Sequence, residues 1–146
     1  MAPNRERFPL RRNFQFDGVS VVRWGDRFID LHNAYDLEVF GTDLSGSKVS
    51  LGFRRNAHAI DPDSLPSKVT LICSGNVRVA FNDLCALAAP VDNEGIEIAY
   101  FDQGCDWLSC LDEELARRQE PQGLHISFIN GFAVRIFCDE ATFAIQ

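Results

Sequence analysis

From Asn13 onward, apolar and polar residues alternate in short runs broken by turn residues, the period-two pattern of strands with one buried face. Asn13-Phe14-Gln15-Phe16 and Val19-Ser20-Val21-Val22-Arg23-Trp24 flank Asp17-Gly18. That pair predicts a two-residue hairpin, because glycine accepts the positive φ of a type I′ turn. A second turn at Gly25-Asp26 leads into Arg27-Phe28-Ile29-Asp30-Leu31, so residues 13 to 31 read as a three-stranded meander. Tyr35 to Asp43 and Lys48 to Arg54 flank Leu44-Ser45-Gly46-Ser47, with Val49, Leu51 and Phe53 alternating against Ser50, Gly52 and Arg54 as a half-buried hairpin requires.

Residues 55 to 66 are polar and rich in turn formers, a loop inside one domain. Beyond it, Val69, Leu71 and Cys73 run to Ser74-Gly75-Asn76, and Val77, Val79 and Phe81 alternate with Arg78, Ala80 and Asn82. This predicts either a hairpin or one long strand bulged at Gly75. Asn82-Asp83 can cap a short helical turn that Pro90 ends, and Ile96, Ile98 and Tyr100 resume strand periodicity. Ser109 to Gln119 is the best helix candidate: Ser109 and Asp112 have capping-box spacing, and Leu108, Leu111 and Leu115 lie on one face. Its acidic residues fall in the first turn, with Arg117 and Arg118 in the last, as the helix dipole favours. Leu124 to Ile129 and Phe132 to Phe137 flank Asn130-Gly131, the strongest hairpin signal in the chain. Leu124, Ile126 and Phe128 are expected to face the core, as are Phe132, Val134, Ile136 and Cys138 on the return strand, with Phe143 and Ile145 extending the sheet.

The predicted fold class is α+β and mostly antiparallel β: a meander of hairpins, as a sandwich or open barrel-like sheet, with one covering helix over 109–119. Twelve Phe against one Met support sheet, since each ring covers a large area of a neighbouring strand. A chain of 146 residues is near the commonest domain size. Residues 1–12 are expected to be a disordered basic arm, with Pro3 and Pro9 opposing helix, and 13–146 a single globular domain.

Charge is uneven. The arm carries Arg5, Arg7, Arg11 and Arg12 against Glu6, while the whole chain is −7. An acidic body repels phosphate, so no nucleic-acid partner is expected. No apolar run reaches the ~18 residues of a membrane span and no secretory signal opens the chain, so neither membrane insertion nor export is expected. Five scattered cysteines, Cys73, Cys85, Cys105, Cys110 and Cys138, read as reduced thiols in a cytoplasmic protein, most of them small buried hydrophobes.

The search for chemistry returns little. Cys105 and Cys110 lack a second ligand pair for zinc, so no metal and no cofactor are expected. Cys110 falls in the first turn of the predicted helix, where the dipole favours a thiolate, but Asp112, Glu113 and Glu114 oppose a further anion. No phosphate loop, Gly-x-Ser-x-Gly or dinucleotide fingerprint occurs. What stands out is the stretch Asp83 to Glu120, with ten acidic residues against two arginines and with aromatic residues interspersed. Fixed charge steers a partner and aromatic groups anchor it. Glu94, Glu97, Tyr100, Asp102, Asp106, Trp107, Asp112 and Glu113 are the candidate partner-binding residues.

Gly95-Ile96-Glu97-Ile98-Ala99-Tyr100, Cys105-Asp106-Trp107-Leu108 and Leu124 to Gly131 together resemble segments of small uncharacterised bacterial single-domain proteins, including immunity proteins that neutralise toxins. The resemblance covers about a third of the chain and implies a binding role without transferable catalytic residues. The expected function is thus a non-enzymatic, immunity-like protein-binding domain that turns an acidic surface to a basic partner. One alternative is a small-molecule binder or enzyme with a pocket between sheet and helix, using Cys110 and His125. Another is a homo-oligomer that pairs through sheet edges.

Overall fold

The computed structural model describes residues 10–17, 20–43, 45, 47–81, 96–102, 123–128 and 133–145. The fold is mostly antiparallel β, of the α+β class, with no closed barrel among the described residues. Its strands are β1 (Arg11–Arg12), β2 (Gln15–Asp17), β3 (Val21–Trp24), β4 (Arg27–Asp30), β5 (Tyr35–Asp43), β6 (Lys48–Arg55), β7 (Lys68–Ser74), β8 (Arg78–Phe81), β9 (Ile96–Asp102), β10 (Gly123–Phe128), β11 (Ala133–Phe137) and β12 (Glu140–Ile145), with one helical turn, α1 (Leu31–Ala34). Three sheets form, in the orders β1-β12-β7-β6-β5, β8-β11-β10-β9 and β2-β3-β4. They enclose one hydrophobic core, to which Leu51, Phe53, Leu71 and Phe143 come from the first sheet, Leu124, Ile126 and Ile136 from the second, and Val22 and Ile29 from the third. The predicted helix over 109–119 and the turn at 82–87 lie outside the described residues.

Side-chain parity sets the registers. Residues opposite one another across a ladder point to the same face, so a shift of one residue turns a buried row outward. The meander forms, and Gly25 at φ 62 makes the two-residue turn between Trp24 and Arg27. The first connection departs from expectation: Phe16 pairs with Val22 and Asp17 with Val21, which leaves three residues between the strands. A two-residue turn at Asp17-Gly18 would set Phe16 against Val19 and turn Phe14 and Phe16 to the face opposite the buried Val22 and Ile29. The predicted C-terminal hairpin is present: Leu124 pairs with Ile136 and Ile126 with Val134, all buried. Its connection, residues 129–132, lies outside the described residues.

The predicted hairpin of β5 and β6 is present with the expected inward residues. After β7 the chain follows the second of the two forms anticipated: a long strand bulged at Gly75. β7 pairs with β12, and β8 with β11, so both partners pass together from the first sheet into the second. The β7–β8 side uses three residues at the bend where the β11–β12 side uses two. The Asp139 N–H is shared between the carbonyls of Ser74, at 3.1 Å, and Gly75, at 2.9 Å. Gly75 has φ 79, and a Cβ there would meet Asp139 Oδ2 at 2.6 Å, so only glycine fits.

The arm is shorter than the sequence suggests. Leu10 is buried, and β1 pairs in parallel with β12. Asn13 then acts as a surrogate strand residue, donating from Nδ2 to the Phe143 carbonyl at 3.1 Å and accepting the Phe143 N–H at 2.8 Å. This clamp holds Phe14 in the core against Phe16 and Phe143. α1 was not anticipated; Asp30 caps it, accepting the N–H groups of His32 and Asn33 at 3.0 and 3.2 Å. The 55–66 loop is pinned from beneath. The Tyr35 hydroxyl donates to the Pro66 carbonyl at 2.7 Å, and Arg55 donates to the carbonyls of Pro62 and Leu65.

Two outcomes follow. Asn13→Ala loses both bonds to Phe143 and is expected to lower unfolding free energy by about 1–2 kcal/mol in urea titrations. Tyr35→Phe leaves the Pro66 carbonyl unpaired and should cost about the same near pH 7. Burial raises the Tyr35 phenol above its ordinary range, against the lowering pull of Arg55 and Arg27. The folded chain therefore favours the protonated phenol. That contribution is complete below the unfolded phenol value, about 10, and is lost as pH climbs through the higher folded value. Urea titrations of both proteins should show the gap closing above about pH 10; a gap that widened would contradict the buried-phenol account.

Candidate functional site

The acidic stretch reaches the described fold in β9, the terminal strand of the four-stranded sheet. Of the candidate partner-binding residues, Glu97, Tyr100 and Asp102 lie on this strand. Glu94, Asp106, Trp107, Asp112 and Glu113 lie outside the described residues, as does Cys110. β9 pairs with β10 on one side, with Tyr100 opposite His125 and Asp102 opposite Gly123. No described strand hydrogen-bonds to its other side, and β2 and α1 pack close to it. Glu97 falls where the register shifts between Ser127 and Phe128, so it is the extra residue of a β-bulge.

The face of this sheet turned away from the core has a character that the sequence did not disclose. Arg135 of β11 is in register with Ala80 on one neighbour and His125 on the other. Arg135 and the exposed Arg78 both stack on Phe137, their guanidinium carbons 5.1 and 5.7 Å from the ring centroid. Beside them, His125 Nε2 lies 3.1 Å from Ser127 Oγ. The positions Arg78, Phe137, Arg135, His125 and Ser127 thus make a cationic and aromatic strip across three strands, next to an edge strand drawn from the most acidic part of the chain. Arg78 and Arg135 are remote in sequence, and each looks like an ordinary outward residue of its own strand. Only the order β8-β11-β10-β9 places them together.

His125, an alternative pocket residue, is therefore a member of this strip. No group of three or more His, Cys, Asp or Glu suited to a metal ion occurs among the described residues. None of the described helices is long and apolar enough to cross a membrane. Two cysteines that the sequence left as separate buried hydrophobes, Cys73 and Cys138, are free thiols in contact at the sheet corner. No family model matches this chain, and no curated protein or solved structure matches it either.

The opposite end of the five-stranded sheet differs from β9. β5 is its edge strand, with a bulge between Leu37 and Val39 that leaves Glu38 unopposed. Glu38 pairs with Arg54 and reaches Lys68 Nζ at 3.8 Å. A bulge and fixed charges on an edge discourage another strand from adding to it.

The strip should be separable from folding. A guanidinium on an exposed ring contributes about 0.5–1 kcal/mol, so Arg78→Ala and Arg135→Ala are each expected to shift the urea midpoint by no more than that energy implies. A loss several times larger in either variant would mean that the strip is a structural element.

Proposed function

We propose that this chain is a non-enzymatic protein-binding domain, immunity-like in its mode of action, that receives a basic partner at the acidic end of its four-stranded sheet. One observation carries the reading: β9 is a terminal strand to whose outer side no described strand hydrogen-bonds, and it bears Glu97, Tyr100 and Asp102. An open edge offers backbone donors and acceptors to an added strand, and such main-chain bonds supply affinity without a pocket. Acidic residues on that edge select a basic segment and speed its approach. The cationic strip on the adjoining face works in the same direction. It repels a basic partner from the sheet face and confines it to the edge, which is specificity obtained by an unfavourable alternative site.

The homo-oligomer reading is less well supported at β5, where the bulge and the Glu38 ion pairs blunt the edge. No observation favours the pocket reading over the edge.

The reading is tested by affinity capture from the native host, with the intact chain compared against Glu97→Lys/Asp102→Lys. The expected partner is basic, is retained at low salt, is released at about 0.5 M salt where the Debye length falls to a few ångströms, and binds the variant about tenfold more weakly. Retention that is indifferent to both salt and charge reversal, or the absence of any retained protein, would sink it.

A further inference from the structure

Cys73 lies one residue before the end of β7, and Cys138 is the first residue of the bend between β11 and β12. Their chain neighbours, Ser74 and Asp139, are joined directly by the 3.1 Å bond from the Asp139 N–H to the Ser74 carbonyl. Ser74 is also the register partner of Glu140, and Cys73 that of Ala141. The bend brings the two thiols onto the same side of the corner, and they hydrogen-bond to one another. Cys73 is wholly enclosed at 0% exposure, whereas Cys138 retains 8%. Both thiols are buried, and the pair is asymmetric, Cys138 being the less enclosed of the two.

We propose that Cys138 and Cys73 form a reversible intramolecular disulfide, in which Cys138 attacks a small disulfide from solution and Cys73 resolves the product. Cys138 is the better nucleophile for a stated reason. Its sulfur accepts hydrogen bonds from the Cys73 thiol and from the backbones of Ser74 and Glu140, and these lower its pKa against the opposing effects of burial and Asp139. Cys73 is pushed the other way by the bond it donates and by burial. A thiolate held by donors, with a second thiol in contact, is the arrangement that thiol–disulfide exchange requires.

The step balances without further reagents. The Cys138 thiolate forms a bond to one sulfur of a low-molecular-weight disulfide, such as oxidised glutathione, and the other sulfur leaves as a thiolate that takes a proton from water. Cys73 then gives its proton to water and attacks the Cys138 sulfur, expelling the second small thiol. Two protein thiols are oxidised and one small disulfide is reduced to two thiols. Because Ser74 and Asp139 are already bonded, the new link lies along an existing contact. It fastens the bend through which the chain passes from one sheet to the other.

The test uses the full chain, both unaltered and with Cys85→Ser, Cys105→Ser and Cys110→Ser to silence the remaining thiols. Native protein is equilibrated with oxidised and reduced glutathione, quenched in acid and mapped by peptide mass. The expected result is a Cys73–Cys138 disulfide in both chains that excess reduced glutathione removes. In the silenced background Cys73→Ala should accumulate a glutathione adduct on Cys138 about tenfold above its parent, because nothing resolves it. Cys73→Val, checked by circular dichroism, replaces that variant if the smaller side chain unfolds the corner. A disulfide that forms only in urea, or a Cys138 adduct that persists in the parent without closing, would overturn the proposal.

Discussion

The structure depends on a corner. At Ser74-Gly75 on one strand and Cys138-Asp139 on its partner, a two-stranded ribbon leaves the five-stranded sheet and enters the four-stranded one without breaking. Packed sheets whose strands run at different angles need such corners, and bulges and bends supply them. Here the shared Asp139 N–H keeps both carbonyls of the longer side satisfied, so the bend costs no orphaned backbone group. Without it the two sheets would be joined only by loops, and the rows led by Leu71 and Ile136 would have no fixed relation.

Around that corner the core closes by parity. Each buried row places every second residue of a strand against every second residue of its neighbour, and connections adjust their length to keep the rows aligned. Local polar locks then hold what the rows cannot. Asn13 stands in for a missing strand residue beside Phe143, and Tyr35 and Arg55 tie a long polar loop to the sheet by its own carbonyls. These bonds satisfy backbone groups that a strand would have paired and that a loop leaves open.

The same architecture separates charge. Two acidic residues, Glu97 and Asp102, lie on β9, while arginines from β8 and β11 converge on Phe137 two strands away. The corner thiols lie where the ribbon enters this sheet, Cys73 on β7 ahead of the bend to β8 and Cys138 directly after β11. A covalent bond at the bend would therefore act on the frame of the proposed surface and leave its charged groups untouched.

Strand existence was legible from residue alternation, because burial of one face imposes a period of two that no other element shares. The runs at Val49 to Phe53 and Leu124 to Phe128 lie where that period put them. Turn residues told where strands end but misjudged the connection at Asp17-Gly18, since turn preference is worth less than keeping Phe14 and Phe16 on the side of the buried Val22. Leu10, assigned to the arm, was not legible as core because its partner strand is at the far end of the chain. The candidate site was legible only as acidic composition around β9. Sequence by itself determined which segments are extended and which face of most strands is buried, as these follow from local patterning of side chains. Only the tertiary structure decided strand order, and with it the strip at Phe137 and the contact between Cys73 and Cys138, because each arises from ladders between segments that carry no mark of one another.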